Sequence, residues 1–95
     1  MTDEGKLNEF RMEIERVTSQ ILDLVERRLD LAREIGRLKE KLGMPVRNKA
    51  VEMRLRERVL ENCKKTGLDE KFAMNLLDLL VEESVRAQRT DRVEE

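Results

Sequence analysis

The chain has 95 residues, of which 20 are Lys or Arg and 21 are Asp or Glu, for a net charge of −1; only 2% are aromatic. That length suits a single domain, residues 1–95, whose small core would gain from a partner chain, and the balanced charge provides no long-range field towards nucleic acid or an anionic membrane. The sequence has no histidine, which removes His-based acid–base chemistry, Ser-His-Asp and Cys-His nucleophiles and the commonest transition-metal ligand.

The opening "MTDEGKLNEF" is acidic and lacks the apolar core of a secretory signal. No run approaches the ~18 apolar residues of a membrane span, and a soluble, cytoplasmic protein is expected. From Leu7 onward, Phe10, Ile14, Val17, Ile21, Leu24, Leu31, Ile35, Leu38 and Leu42 recur at three- and four-residue steps, the heptad pattern of a helix with a continuous seam. The spacing predicts a first helix over about 6–42, stopped by Gly43 and by Pro45 beyond it. Such a helix is about 55 Å long at ~1.5 Å per residue, roughly twice the width of a compact domain of this size. It needs a neighbour along its whole length, which argues for a dimer.

A short "GMPVRN" loop leads to Asn48, the expected N-cap of a second helix over about 48–64, with Val51, Leu55, Val59 and Cys63 on one face. The single cysteine can form neither an internal disulfide nor a Cys-rich zinc site, and is read as a half-buried helical thiol. "KKTG" ends this helix. Leu68 is a candidate staple and Asp69 the N-cap of a third helix over about 70–91, with Phe72, Ala73, Leu76, Leu77, Leu80 and Val81 turned inward. The closing "TDRVEE" marks no packed face and is expected to fray. The fold class is therefore all-α, with one long and two shorter helices.

Several polar residues interrupt the apolar faces. Arg28 occupies a seam position between Leu24 and Leu31; alone, it could lay its stem on the seam with its guanidinium in solvent, or pair with a neighbouring glutamate. Lys39 follows three turns later, about 16 Å along the axis. At heptad periodicity it lies within about 50° of the same face, so the two cations can converge on one small anion. Arg11 lies about 25 Å before Arg28 and cannot reach such a site from its own chain. An antiparallel copy with its dyad near residue 24 would instead place the partner's Arg11 opposite about residue 37, giving two symmetric cavities. Cations gathered in this way call for a polyanion, a small ligand with two carboxylates or phosphates.

On the third helix the inward stripe continues as Ser84 and Gln88, which present a hydroxyl and an amide to the interior unless the stripe has simply reached solvent. Glu52, in the first turn of the second helix, is either a site residue or ordinary compensation of the helix dipole.

The segments "FRMEIERVTSQILDLVERRLDLAREIGRLK", "PVRNKAVE" and "LDEKFAMNLLDLLVEESVRAQ" together resemble the all-helical chorismate mutases from about Leu7 to Gln88. The resemblance implies an intertwined antiparallel homodimer with two equivalent sites. It also implies conversion of chorismate to prephenate, in the shikimate pathway to Phe and Tyr, by a Claisen-type rearrangement within one molecule. Such a reaction needs no nucleophile, metal or proton relay; the protein would hold the reactive conformer and stabilise developing charge.

Carried over by position, Arg28 and the partner's Arg11 would bind substrate carboxylates, and Lys39 would reach a carboxylate and the ether oxygen. Gln88 would donate to that oxygen, Ser84 would assist carboxylate binding, and Glu52 would accept from the ring hydroxyl. Asn48 would contribute mainly its backbone. One departure is Val51, where the family commonly has Arg; a raised KM is expected, with Arg47 as a candidate substitute. Competing readings are an isochorismate pyruvate-lyase of the same fold and a non-catalytic helical dimerisation module. Nucleic acid is disfavoured because cations alternate with acids, as in "RLRERVLE", and stacking aromatics are scarce.

Overall fold

A computed structural model of the chain describes residues 2–91 and contains three helices, α1 (Asp3–Lys41), α2 (Lys49–Thr66) and α3 (Glu70–Asp91), with no strand among the described residues. The all-α expectation holds. The expected fraying of the tail lies outside the described residues from position 92 onward.

The helix ends follow local chemistry. Thr2 caps α1, its hydroxyl accepting from the Gly5 N–H at 3.0 Å, so the polar turn before Lys6 is helical too. Helix α1 thus begins about one turn before the expected Lys6, because this first turn has no apolar residue to signal it. At the other end Gly43 adopts φ 68°, its N–H bonds to the Glu40 carbonyl at 3.2 Å, and the Met44 N–H bonds to the Lys39 carbonyl at 2.8 Å. This is a Schellman closure, which needs a left-handed residue where glycine stands. The Asn48 side chain caps α2 by accepting from the Val51 N–H at 3.2 Å, and Gly67, at φ 79°, ends that helix. Asp69 caps α3 by accepting from the Phe72 N–H at 2.9 Å.

α3 packs against both other helices, whereas α1 and α2 do not pack on each other. α1 and α3 run in the same direction, since Arg28 meets Ser84 and, two turns on, Gly36 meets Gln88. Where Arg28 and Gly36 meet α3 the buried residues are small, Ala32 and Gly36 on α1 with Ser84 and Ala87 on α3, so the helices approach closely. Cys63 is buried rather than half-buried. α2 lies on the other side of α3, tied across by an Arg56–Asp78 ion pair at 2.8 Å. Because α1 and α2 both lean on α3 without touching, a cavity remains between them.

Two inward assignments are corrected. Phe72 (56% exposed) and Leu76 lie outside the core of the single chain, whose buried α3 stripe is Ala73, Leu77, Ser84, Ala87 and Gln88. The seam of α1 is likewise uncovered: Leu7, Phe10, Ile14, Val17, Ile21 and Leu24 are all exposed. The chain measures 61 × 29 × 15 Å, and its radius of gyration is 17.8 Å. A compact domain of this length would have about 12 Å. No described helix is long and apolar enough to cross a membrane.

Candidate active site

The cavity between α1 and α2 has a volume of about 430 Å³, within the range of small-molecule sites. α1 contributes Arg28 and Lys39 with Leu31, Ala32 and Ile35 between them. α3 forms the floor with Val81, Ser84, Val85 and Gln88, and α2 with its preceding loop closes the side through Val46, Asn48, Val51, Glu52 and Leu55. Six of the seven residues singled out from the sequence thus line one space: Arg28, Lys39, Asn48, Glu52, Ser84 and Gln88. Arg11 is exposed on the projecting half of α1 and does not line this cavity.

Each cation is held by neutral oxygens. Arg28 donates through Nη1 to the Leu80 carbonyl at 2.9 Å and to the Ser84 hydroxyl, both on α3. Lys39 donates to the Val46 carbonyl at 2.8 Å, which ties α1 to the loop before α2. Burial pushes the Arg28 guanidinium below its ordinary value, yet arginine remains charged at neutral pH. Among the described residues no carboxylate pairs with either cation, so the two charges reach the cavity held only by neutral acceptors.

The neutral groups are distinctive as well. Gln88 is only 6% exposed, and its Oε1 is buried without a hydrogen-bond partner among the described atoms. Leaving such an atom unsatisfied costs about 1–3 kcal/mol. Ser84 is already engaged by Arg28, so it orients the guanidinium as well as lining the cavity.

Glu52 supplies the carboxylate of the cavity wall. Arg47 grips it with two bonds, Nε to Oε2 at 3.1 Å and Nη2 to Oε1 at 2.8 Å. The hydrogen bond from Arg47 holds the Glu52 carboxyl below the usual carboxylate range, against the opposing effect of burial. Arg47 itself is exposed and does not line the cavity. In this structure it pairs with Glu52 rather than facing the cavity, so it is not the substitute cation expected beside Val51. The Asn48 side chain is occupied in capping the Val51 N–H.

This cavity, with apolar walls, two cations, a carboxamide and a carboxylate, lies within the part of the chain that the family model of chorismate mutase type II matches, residues 10–89. The chain belongs to the type II chorismate mutase family. It is 32% identical over 88 residues to the 4-amino-4-deoxychorismate mutase of Streptomyces venezuelae, covering 93% of this chain and 85% of that protein. The chorismate mutase of Methanocaldococcus jannaschii is 29% identical over 84 residues, 88% and 85% of the two chains. The bifunctional chorismate mutase/prephenate dehydratase of Escherichia coli is 34% identical over 89 residues, 94% of this chain and 23% of that protein. No solved structure matches significantly.

Two features of this chorismate mutase family member escaped the sequence. The pairing of Arg47, expected as a substitute substrate contact, with Glu52 could have been suspected from its place five residues earlier, where a loop cation can fold back on a first-turn acid. Gly36 stands in mid-helix between Arg28 and Lys39, and glycine there costs helix stability unless packing requires it.

Proposed function

We infer that the chain is an enzyme that converts chorismate to prephenate, and the observation that carries this is the convergence of Arg28 and Lys39 on one cavity beside Gln88. Chorismate carries two carboxylates on a small apolar body. Arg28 holds one carboxylate in fork geometry; Lys39 holds the other and reaches the ether oxygen. As the C–O bond breaks and the C–C bond forms within one molecule, negative charge grows on that oxygen, where Lys39 and the Gln88 amide stabilise it. Gln88 is neutral and donates at any pH. Holding the reactive conformer supplies much of the remaining acceleration.

The site is completed by a second copy. An antiparallel homodimer covers the exposed seam of α1 and brings the partner's Arg11 to the open side of the cavity. Support comes from the projecting half-helix, the exposed Phe10, Ile14 and Leu24, and a radius of gyration of 17.8 Å. The cytoplasmic location expected from the sequence is part of the same proposal.

A second substrate deserves equal testing. 4-Amino-4-deoxychorismate, named for the Streptomyces relative, bears an amine where chorismate bears the ring hydroxyl. Glu52 is suited to either group, accepting from a hydroxyl or pairing with an ammonium. The deciding experiment follows consumption of each compound in parallel with purified protein and identifies the product. Conversion of chorismate to prephenate well above the uncatalysed rate is expected; no conversion of either compound would overturn the assignment.

A further inference from the structure

We propose that Gly36 is a positioning residue that sets where Gln88 presents its carboxamide, an inference resting on the catalytic role given to Gln88 above. Gly43 and Gly67 have positive φ and end helices, whereas Gly36 has no such backbone conformation to explain it. What it has is a close neighbour. A Cβ built on Gly36 would lie 2.9 Å from Gln88 Cγ, 3.1 Å from its Cβ and 3.3 Å from its Cα.

Non-bonded carbons prefer about 3.5–4.0 Å. The Cγ contact could be relieved by a change of rotamer at Gln88, but the Cβ and Cα are fixed to the backbone of α3. Relief therefore requires a new rotamer, a shift of the last turns of α3, or both, and each moves the carboxamide. Arg28, two turns earlier on α1, is bonded to α3 at Leu80 and Ser84, so that end of the interface is pinned. The displacement concentrates at Gln88 itself. Because the Gln88 amide acts on an atom whose charge changes during reaction, a shift of several tenths of an ångström falls on kcat more than on KM.

The test is Gly36→Ala in the full chain, alone and combined with Gln88→Ala. Alanine favours helix over glycine, so a glycine with no role predicts unchanged or greater thermal stability, a purely packing role predicts lower stability, and both predict unchanged kinetics. The positioning role predicts a fall in kcat of about tenfold or more with KM changed less than about threefold. It also predicts that Gly36→Ala costs less than about threefold once residue 88 is alanine, because the carboxamide it displaced is gone. Equal cost in both backgrounds overturns the proposal. If Gly36→Ala alone fails to fold, recovery of helix when it is combined with Gln88→Gly, which removes both the Cγ and the Cβ that crowd the new methyl, supports the contact, and failure of that pair overturns it. The side-chain amide resonances of Gln88, assigned by nitrogen NMR, should move in Gly36→Ala, and unmoved resonances also overturn it. This measurement needs no turnover, so a parent protein inactive on chorismate would defeat the functional assignment while leaving the positioning of Gln88 decided separately.

Discussion

Replacing Arg28 by leucine should separate stability from catalysis. Arg28 donates to the Leu80 carbonyl at 2.9 Å and to the Ser84 hydroxyl, and hydrogen bonds from a charged group are each worth about 1.5–3 kcal/mol. Against that gain stands the cost of holding a cation in a partly buried position, which lowers its pKa. Leucine removes the cation and both bonds together. The acceptors left behind can satisfy one another, because Ser84 lies four residues after Leu80 and its hydroxyl can turn back onto that carbonyl. The net change in stability should be about 1 kcal/mol or less, a shift of roughly 4–8 °C at most in Tm for a chain of this size. Activity should fall at least about a hundredfold, about 2.7 kcal/mol of transition-state stabilisation, because a prearranged cation is lost from the site. Thermal melting by circular dichroism and chorismate consumption on the same preparation measure the two quantities. A variant retaining kcat/KM within tenfold of the parent would refute the role of Arg28, and a collapse of the fold would refute the accounting for its bonds.

Adding a cation to the cavity wall with Val51→Arg should lower KM for chorismate by about three- to tenfold with kcat little changed, as expected for uniform binding; an unchanged KM in steady-state kinetics argues that Val51 costs no affinity. Sites shared between subunits predict complementation: mixing inactive Arg11→Ala and Arg28→Ala proteins under subunit exchange should restore about a quarter of parental activity, since half the dimers are mixed and each has one intact site. Absence of any recovery, with exchange verified by mass spectrometry, would remove Arg11 from the site. The Arg47–Glu52 pair stabilises the fold above the ordinary carboxylate pKa, and this contribution disappears as pH falls through the depressed folded value. Arg47→Ala should therefore move the titration of Glu52, followed by carbon NMR, to higher pH and shift acid unfolding the same way; an unmoved titration contradicts the assigned cause.

Helix limits were legible because their signals are local. Asn48 and Asp69 cap through side chains that reach backbone N–H groups three residues on, and Gly43 closes α1 through a conformation few other residues adopt. Arg28 and Lys39 were legible because the heptad fixes their angular and axial separation within one helix. Phe72 and Leu76 show where periodicity stops: an apolar stripe declares that something covers it, and cannot say whether that is the same chain or another.

The sequence by itself determined three helices, a cationic interruption of the first and a polar continuation of the third, since each depends on spacing within one element. Tertiary structure decided that these meet at a single cavity, that Arg47 is committed to Glu52, and that Gly36 admits Gln88. Those are contacts between elements at distances of a few ångströms, which depend on how closely α3 approaches α1 and how α2 stands away from it.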